Sequence, residues 1–469
     1  MSGPAARDSA KRDLTSGSLA WNMVRLAGPM AIGAALHSLY MLVDALWLGR
    51  WGKKALAAQG VCWPLVFVTM AAAMGLAAAG TALVSQYEGA DQHRRAEHAA
   101  GQTFLLLGGL VLLVTAAMYV LAPWILKAVQ VPSHVQPVSL IYLRIMLLAM
   151  PMVSFMIAYG ACLRALGDTV TLVIVTAAGN ALNAVLDPLL IFGWGPFPSF
   201  GTGGAALASL IARVIEAYIC YRFLCAGRSG LRVRLADLKP DPPLLRQLLR
   251  VGTPLAMNRS SDSLGFLVFQ AIINSLGATV ISAVTVGFRI IWFFNIPARV
   301  TAVAAAPVVG QALGAGKPGL ARRAVKWGAV FVAGVLLLPL ILLTLYGKLV
   351  ARAFIEDPAV IVEAGKFFAV VPASSYLFGV LMVLLAAFYG SGHTTPAMVI
   401  GIVRLWVLRV PAALLLTKVF GWGSTGAYTA MVLGNVVCAV LALGMFLRGG
   451  WQQAVVETGN DRAGEQGSS

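Results

Sequence analysis

Apolar runs of about twenty residues recur along the whole chain, and that recurrence leaves few folds open. They lie near 20 to 48, 56 to 84, 100 to 122, 136 to 161, 169 to 192, 203 to 225, 247 to 275, 280 to 312, 325 to 346, 364 to 389, 395 to 419 and 425 to 447. Each is close to the length a helix needs to cross the hydrocarbon of a bilayer. With 59% hydrophobic and 11% charged residues over 469 positions, the chain is too apolar for one soluble core beneath a wetted surface. Only helices and closed barrels satisfy their backbone inside lipid, and runs of this length and composition read as helices. The expected fold is an all-α membrane protein of about twelve transmembrane helices.

Charge follows this topology. The formal net charge is +17. The basic clusters Arg94 with Arg95, Arg222 to Arg250 (including Arg228, Arg232, Arg234, Lys239 and Arg246) and Lys317 to Lys326 all fall in alternate connections. Alternate basic loops face the cytoplasm, which places both termini there too. Arg50, Lys53 and Lys54 are an exception on the other side, whereas 193 to 202 and 275 to 280 carry no charge. A basic face of this kind meets anionic membrane lipids, and no nucleic-acid partner is expected. The polar start, with Arg7, Lys11 and Arg12, reads as a retained cytoplasmic tail over 1–19 and not as a cleaved signal. Residues 448–469 read as a second, disordered tail. Cys62, Cys162, Cys220, Cys225 and Cys438 lie in apolar stretches without a histidine cluster, so they read as buried packing residues.

The chain also repeats itself. Arg25 Leu26 Ala27 Gly28 Pro29 Met30 Ala31 leads into a long span ending at Gln86 to Ala90, and Arg250 Val251 Gly252 Thr253 Pro254 Leu255 Ala256 leads likewise to Gln311 to Ala315. The offset, 254 minus 29, is 225, and Ala161 to Thr169 matches Ala386 to Thr394 at the same offset. Six helices followed by six like them form a parallel repeat about an axis along the membrane normal, a plan that encloses a cavity open to one side at a time. The expected organisation is an N-lobe over 20–225, a cytoplasmic linker over 226–246 that includes Pro240, Pro242 and Pro243, and a C-lobe over 247–447.

Within this apolar frame one stretch is costly. The run Val170 to Phe192 carries Asn180, Asn183 and Asp187 at i, i+3 and i+7, on one helix face. An acid near the middle of a membrane helix costs about 2.5 to 3.5 kcal/mol on insertion, so it persists chiefly where it faces a cavity and works there. Pro188 withdraws a backbone donor beside it and frees a carbonyl. Carboxylate, amide and carbonyl oxygens together suit a proton or a hard cation such as sodium. On the first helix His37, Tyr40 and Asp44 repeat the i, i+3, i+7 pattern. Opposed across one lobe, Asp44 and Asp187 would form a pair able to hold and release a proton. His37 reads equally as a relay or a packing residue. Asp262, flanked by Asn258, Arg259, Ser260 and Ser261, reads either as a substrate contact or as the partner of Arg259 or another cation. Arg289, Arg299, Arg404 and Arg409 lie in apolar runs, where snorkelling is the expected behaviour. At the 225 offset Asn180, Asn183 and Asp187 correspond to Leu405, Leu408 and Ala412, and Asp44 to Phe269, so the acidic chemistry is confined to the first half. Neither a nucleotide-binding loop nor a hydrolase triad is present, and no enzyme activity is expected.

Taken in order, Val43 Asp44 Ala45 with Gly49 and Ala55 to Ala58, Gln86 to Ala90, Leu163 to Thr169, Asn183 to Pro188 and Gly204 to Ser209 resemble the multidrug and toxic compound extrusion (MATE) family over residues 20 to 447. The resemblance implies two six-helix lobes in a V shape and export of amphipathic, often cationic compounds in exchange for H⁺ or Na⁺, without a cofactor and with a monomer as the unit. In the DinF-like branch, which the chain resembles more closely, the N-lobe cation site would be Tyr40, Asp44, Asn183 and Asp187, completed by Ser209. Asp262 falls where the NorM-like branch has an acid on the seventh helix. The aspartate that branch carries on the tenth helix has no counterpart between Val370 and Tyr389. The competing reading is a lipid or lipid-linked glycan flippase of the same superfamily, which would call for a cationic cavity. The resemblance also places the protein in the inner membrane of a bacterium.

Overall fold

The computed structural model describes residues 13–129, 131–195, 198–227 and 230–456, and the described residues form helices and connections without a strand. In chain order the helices are α1 (Leu19–Trp51), α2 (Lys53–Gly89), α3 (His93–Ala128), α4 (Gln136–Ala165), α5 (Val170–Phe192), α6 (Thr202–Ala226), α7 (Pro242–Asn274), α8 (Ala278–Phe294), α9 (Ile296–Gly314), α10 (Pro318–Arg352), α11 (Pro358–Ser391), α12 (Thr395–Val419) and α13 (Gly423–Arg448). Among the described residues, eleven of these are long and apolar enough to cross a membrane. The other two are α8, which is shorter, and α7, whose apolar surface is interrupted by Asn258, Arg259, Ser260, Ser261 and Asp262. Proline lies inside most of the long helices, for example Pro29, Pro64, Pro151, Pro188, Pro254 and Pro372. Neighbouring helices in a bundle can supply partners for the backbone groups that proline frees.

The single span expected over 280 to 312 is two helices. Asn295 ends α8 with its side-chain amide donated to the Ile291 carbonyl and to Ser375, and Pro297, which has no N–H to donate, opens α9. α12 is also irregular, with π-helical turns over Val403–Arg409 and Leu415–Val419.

Backbone contacts divide the chain into two compact units. Among the described residues, unit 1 comprises 13, 28–88 and those within 92–252; unit 2 comprises 14–27, 89–91 and 253–456. The core of unit 1 gathers Leu48, Leu107, Tyr142, Leu143, Leu147 and Ile191 with small residues such as Ala55, Ala58, Ala205 and Ala206 that let backbones approach closely. The core of unit 2 centres on Phe269, Phe367, Phe368 and Tyr428, with the rings of Phe368 and Tyr428 set edge to face against Phe367. Large apolar side chains such as Leu113, Val330, Leu338 and Leu345 remain exposed on the long helices, as a hydrocarbon solvent requires.

Both chain ends begin their order sooner than their polarity predicts. The parts of the tails at 1–12 and 457–469 lie outside the described residues, as does Arg228. Before α1, however, Leu14 is buried and donates its N–H to the Gln311 side chain at 2.9 Å within unit 2. After α13, Gly449 takes a left-handed turn at φ 78, and Trp451 folds back to stack on Phe446 and donate its indole N–H to that residue's carbonyl at 3.0 Å. The disordered tail expected from residue 448 therefore does not describe 449–456. An apolar ring with one donor gains more from the core than from water. Cys225 is likewise a correction: it is exposed, while Cys62, Cys162, Cys220 and Cys438 are buried.

The linker is docked as well. A 3-10 turn at Leu235–Leu238 packs on α3, where Gly101 leaves no room for a side chain against Asp237. Arg94 forks onto both oxygens of Asp237 at 2.7 and 3.0 Å, and Gln102 donates to the carbonyls of Asp237 and Lys239, each at 2.7 Å. Burial alone would raise the Asp237 carboxyl, but the Arg234 backbone N–H and the Arg94 guanidinium outweigh it and hold it below the usual range. A carboxyl depressed in the folded state stabilises above its unfolded pKa and loses that contribution as pH falls through its folded pKa. Replacing Asp237→Asn should therefore cost about 1 to 3 kcal/mol at pH 7.5, and the gap in melting temperature between parent and variant should close as pH falls below about 4. A gap that persists unchanged in acid would show that the carboxylate charge is not what holds the linker.

Candidate functional site

α5 is delimited by local chemistry. Asp168 receives the N–H groups of Val170 and Thr171, each at 3.1 Å, and the Thr171 hydroxyl at 2.5 Å, which satisfies donors that the first helical turn leaves open. Gly193, at φ 74, closes the other end. Between these caps Asn180, Asn183 and Asp187 share one buried face against α6.

That face is wired to α1 through one serine. The carboxamide of Asn183 is satisfied on both sides when its nitrogen faces Asp187. Nδ2 then donates to Asp187 Oδ2 at 3.1 Å, while Oδ1 accepts from the backbone N–H of Ser209 at 3.0 Å and from its hydroxyl at 3.2 Å. Having donated its proton to Asn183, the Ser209 hydroxyl accepts from the Tyr40 hydroxyl, 3.3 Å away. The donors thus run in one direction, from Tyr40 through Ser209 and Asn183 to Asp187. Asp44, buried on α1, accepts from Gln59 Nε2 of α2 at 2.5 Å and is close enough to Asp187 for direct electrostatic interaction. Each carboxylate has one oxygen held by an amide. The other oxygen of each, Oδ1 of Asp44 and Oδ1 of Asp187, is buried and has no protein partner. A buried acceptor without a donor is costly, and two of them close together are ready ligands for a proton or a hard cation.

Unit 1 therefore brings together Tyr40, Asp44, Asn183, Asp187 and Ser209. Asn180 is buried on the same face but turns elsewhere, accepting from Arg213 Nη2 at 3.4 Å. His37 is exposed, its ring 5.7 Å from that of Tyr40.

Several polar partners were not anticipated. Gln59 was not singled out, because a glutamine near a helix end carries no signal of its own. Tyr142 of α4 is buried within electrostatic reach of Asp44, Tyr40 and Asp187. On α6, Arg213 donates to Glu216 at 2.6 Å and lies 5.6 Å from the centre of the Tyr40 ring. The signal for this pair was available, since an Arg and a Glu at i and i+3 in an apolar run form a buried ion pair or nothing stable. Glu216 is fully buried and presses on α5 at Gly179, where a Cβ would collide with its carboxylate. Gly179→Ala should lower stability by about 1 to 3 kcal/mol through overpacking. In the double variant with Glu216→Ala, thermal unfolding should show a loss well below the sum of the two single losses. Strict additivity would mean that Gly179 is not there to admit Glu216.

In unit 2, Asp262 pairs with Arg404 and not with its neighbour Arg259, at an N–O distance of 2.8 Å. Arg404 and Arg409 do not snorkel. Both are buried, Arg404 over the Phe378 ring at 4.7 Å and Arg409 over Phe269 at 5.8 Å, because α12 turns them into the bundle, where aromatic faces and amides receive them. Arg289 is exposed and Arg299 half-buried over Trp292, as snorkelling side chains would be.

Comparison with known proteins matches this chain to the MatE family model twice, over residues 29–189 and 254–415. The two matches start 225 residues apart, 254 minus 29, which is the internal repeat. A relative described as a probable multidrug resistance protein NorM, from Thermotoga maritima, is 27% identical over 93% of this chain and 94% of its own length. A relative from Shewanella oneidensis described as an FAD transporter is 22% identical over 92% of this chain and 95% of its own. Among solved structures, MATE in the bent conformation superposes with a TM-score of 0.86 at 24% identity, covering 96% of this chain and 97% of the other, and so shares the fold.

Proposed function

The chain belongs to the MatE family, and on that premise we propose that it is a secondary antiporter that exports amphipathic organic compounds in exchange for protons or sodium ions. The apolar helices and the family match make it an integral membrane transporter of the multidrug-efflux type. Coupling is our reading, and one observation carries it: Asp44 and Asp187 are buried together in unit 1, each with one oxygen held by an amide and one without a partner. A proton or sodium ion arriving there meets carboxylate, carboxamide and hydroxyl oxygens, all hard donors that suit either ion. Its binding replaces like-charge repulsion with attraction and so changes how α1 packs against α5 and α6. The ion can drive export only if it binds the two access states unequally, and the cargo must then alter ion affinity by the same factor. Cations are the cargo class that this acidic site attracts, the names of relatives such as NorM refer to multidrug resistance, and no cofactor is called for. The basic loops support a topology with both termini in the cytoplasm, and we take from the family resemblance a bacterial inner membrane and a monomer as the working unit.

Reconstitution in liposomes tests this. Uptake of a fluorescent cationic dye should follow an imposed pH gradient or sodium gradient, and Asp44→Asn and Asp187→Asn should each reduce that uptake to background while the protein still inserts in the membrane. Parental uptake by both variants, or dye movement that neither gradient drives, would remove the coupling assignment.

A further inference from the structure

The two repeats have opposite polarity at equivalent places. α5 and α12 are related by the 225 offset at their starts, Val170 and Thr395. A π turn takes one residue more than an α turn, so by the last residue of Val403–Arg409 the offset has become 226, and the end of the second family match, 415 minus 189, has that value. Arg409 therefore stands where unit 1 has Asn183. Where unit 1 sets an amide against a carboxylate, unit 2 sets a guanidinium against an amide.

Arg409 is 7% exposed. One Nη donates to Asn435 Oδ1 at 3.2 Å, and the Asn435 amide is fixed in turn by donating to the Ser374 hydroxyl at 2.8 Å and its carbonyl at 3.0 Å. The Nε of Arg409 is buried without a partner, and no described carboxylate lies within ion-pair distance of it. The carboxylate it senses, Asp262, is already engaged by Arg404. Arg259 is exposed beside them, and it, Asp262 and Arg404 all lie within electrostatic reach of Tyr389. Arg404 and Arg409 thus both lie within reach of one carboxylate, and Arg259 adds a third positive charge near Tyr389. A guanidinium held inside an apolar bundle by only a neutral amide and an aromatic face is expensive, and helices tolerate such a residue where an anion visits it. The Asp262 side chain is 31% exposed and Arg259 is exposed, so the cluster reaches the surface at that edge. π turns occur disproportionately at functional sites, and this one carries both buried arginines.

We propose that Arg409, with Arg404 and Arg259, forms a binding site in unit 2 for an organic anion, a carboxylate or phosphate ester on an apolar body. Arg409 would receive the acid group in the forked manner that guanidinium favours, as Arg404 receives Asp262. The rings of Phe378 and Phe269 back the two buried guanidinium groups. This rests on the transport reading only in naming the site's ligand as cargo. It widens the cargo from cations to compounds bearing an acid group.

Equilibrium binding to the purified protein in detergent tests it, with 2-naphthoate and 2-naphthyl phosphate as probes and neutral 2-naphthamide as the isosteric control. Both acids should bind at least about tenfold more tightly than the amide. Arg409→Gln should abolish that preference, and Arg409→Lys should retain part of it. Equal binding of acid and amide by the parent protein overturns the proposal, whether or not the variants fold, and so does an undiminished preference in a folded Arg409→Gln. The source of the anion is read in nanodiscs: competition by phosphatidylglycerol against phosphatidylcholine assigns the site to a lipid headgroup, and indifference assigns it to soluble cargo. Because binding needs no gradient, its failure is distinguishable from loss of gradient-driven dye uptake.

Discussion

Hydrocarbon offers no hydrogen bonds, and every polar side chain buried in this bundle must find its partner in the protein or go without. That constraint governs the molecule more than any single contact. Satisfied groups tie the helices together, as when Asn435 reaches Ser374 or Asn295 reaches Ser375. The exceptions are few, and several of them fall together. Asp44 Oδ1, Asp187 Oδ1 and Glu216 Oε1 go unpartnered in unit 1, Arg409 Nε and Asn258 Oδ1 in unit 2. A structure selected only for stability would have paired or removed them. Their survival is the physical argument for visiting ions and ligands.

Gene duplication supplied a scaffold, and the two copies then diverged in charge at the same helix. In unit 1 the inward face of α5 collects oxygen acceptors, and the one guanidinium nearby, Arg213, is neutralised by Glu216. In unit 2 the inward face of α12 collects guanidinium groups. A cluster of acidic groups in unit 1 and a cluster of guanidinium groups in unit 2 therefore stand on corresponding helices. Charge at one helix does not by itself decide the cargo.

The periodicity of the chain made much of this legible beforehand. Apolar runs near twenty residues fixed the helices, the 225 offset exposed the duplication, and i, i+3, i+7 spacing put Tyr40 with Asp44 and Asn183 with Asp187 on common faces. The runs and the spacing are properties of one segment at a time, since helical geometry converts spacing into direction, and the offset needs only two segments laid side by side. Where a local rule was interrupted the reading slipped: Asn295 and Pro297 split one expected span, and π turns shifted the register of α12.

What the sequence determined by itself was which residues are too costly to be idle in lipid, because insertion energy depends on residue type and position within a run. What only the tertiary structure decided was the partner each one found. Asp44 is held by Gln59, Asn180 turns to Arg213, Asp262 chooses Arg404 over the adjacent Arg259, and Trp451 and Asp237 dock stretches whose composition reads as tail and linker. Such pairings join residues as many as 143 positions apart. Spacing along one helix carries no information about the neighbour that packing brings against it.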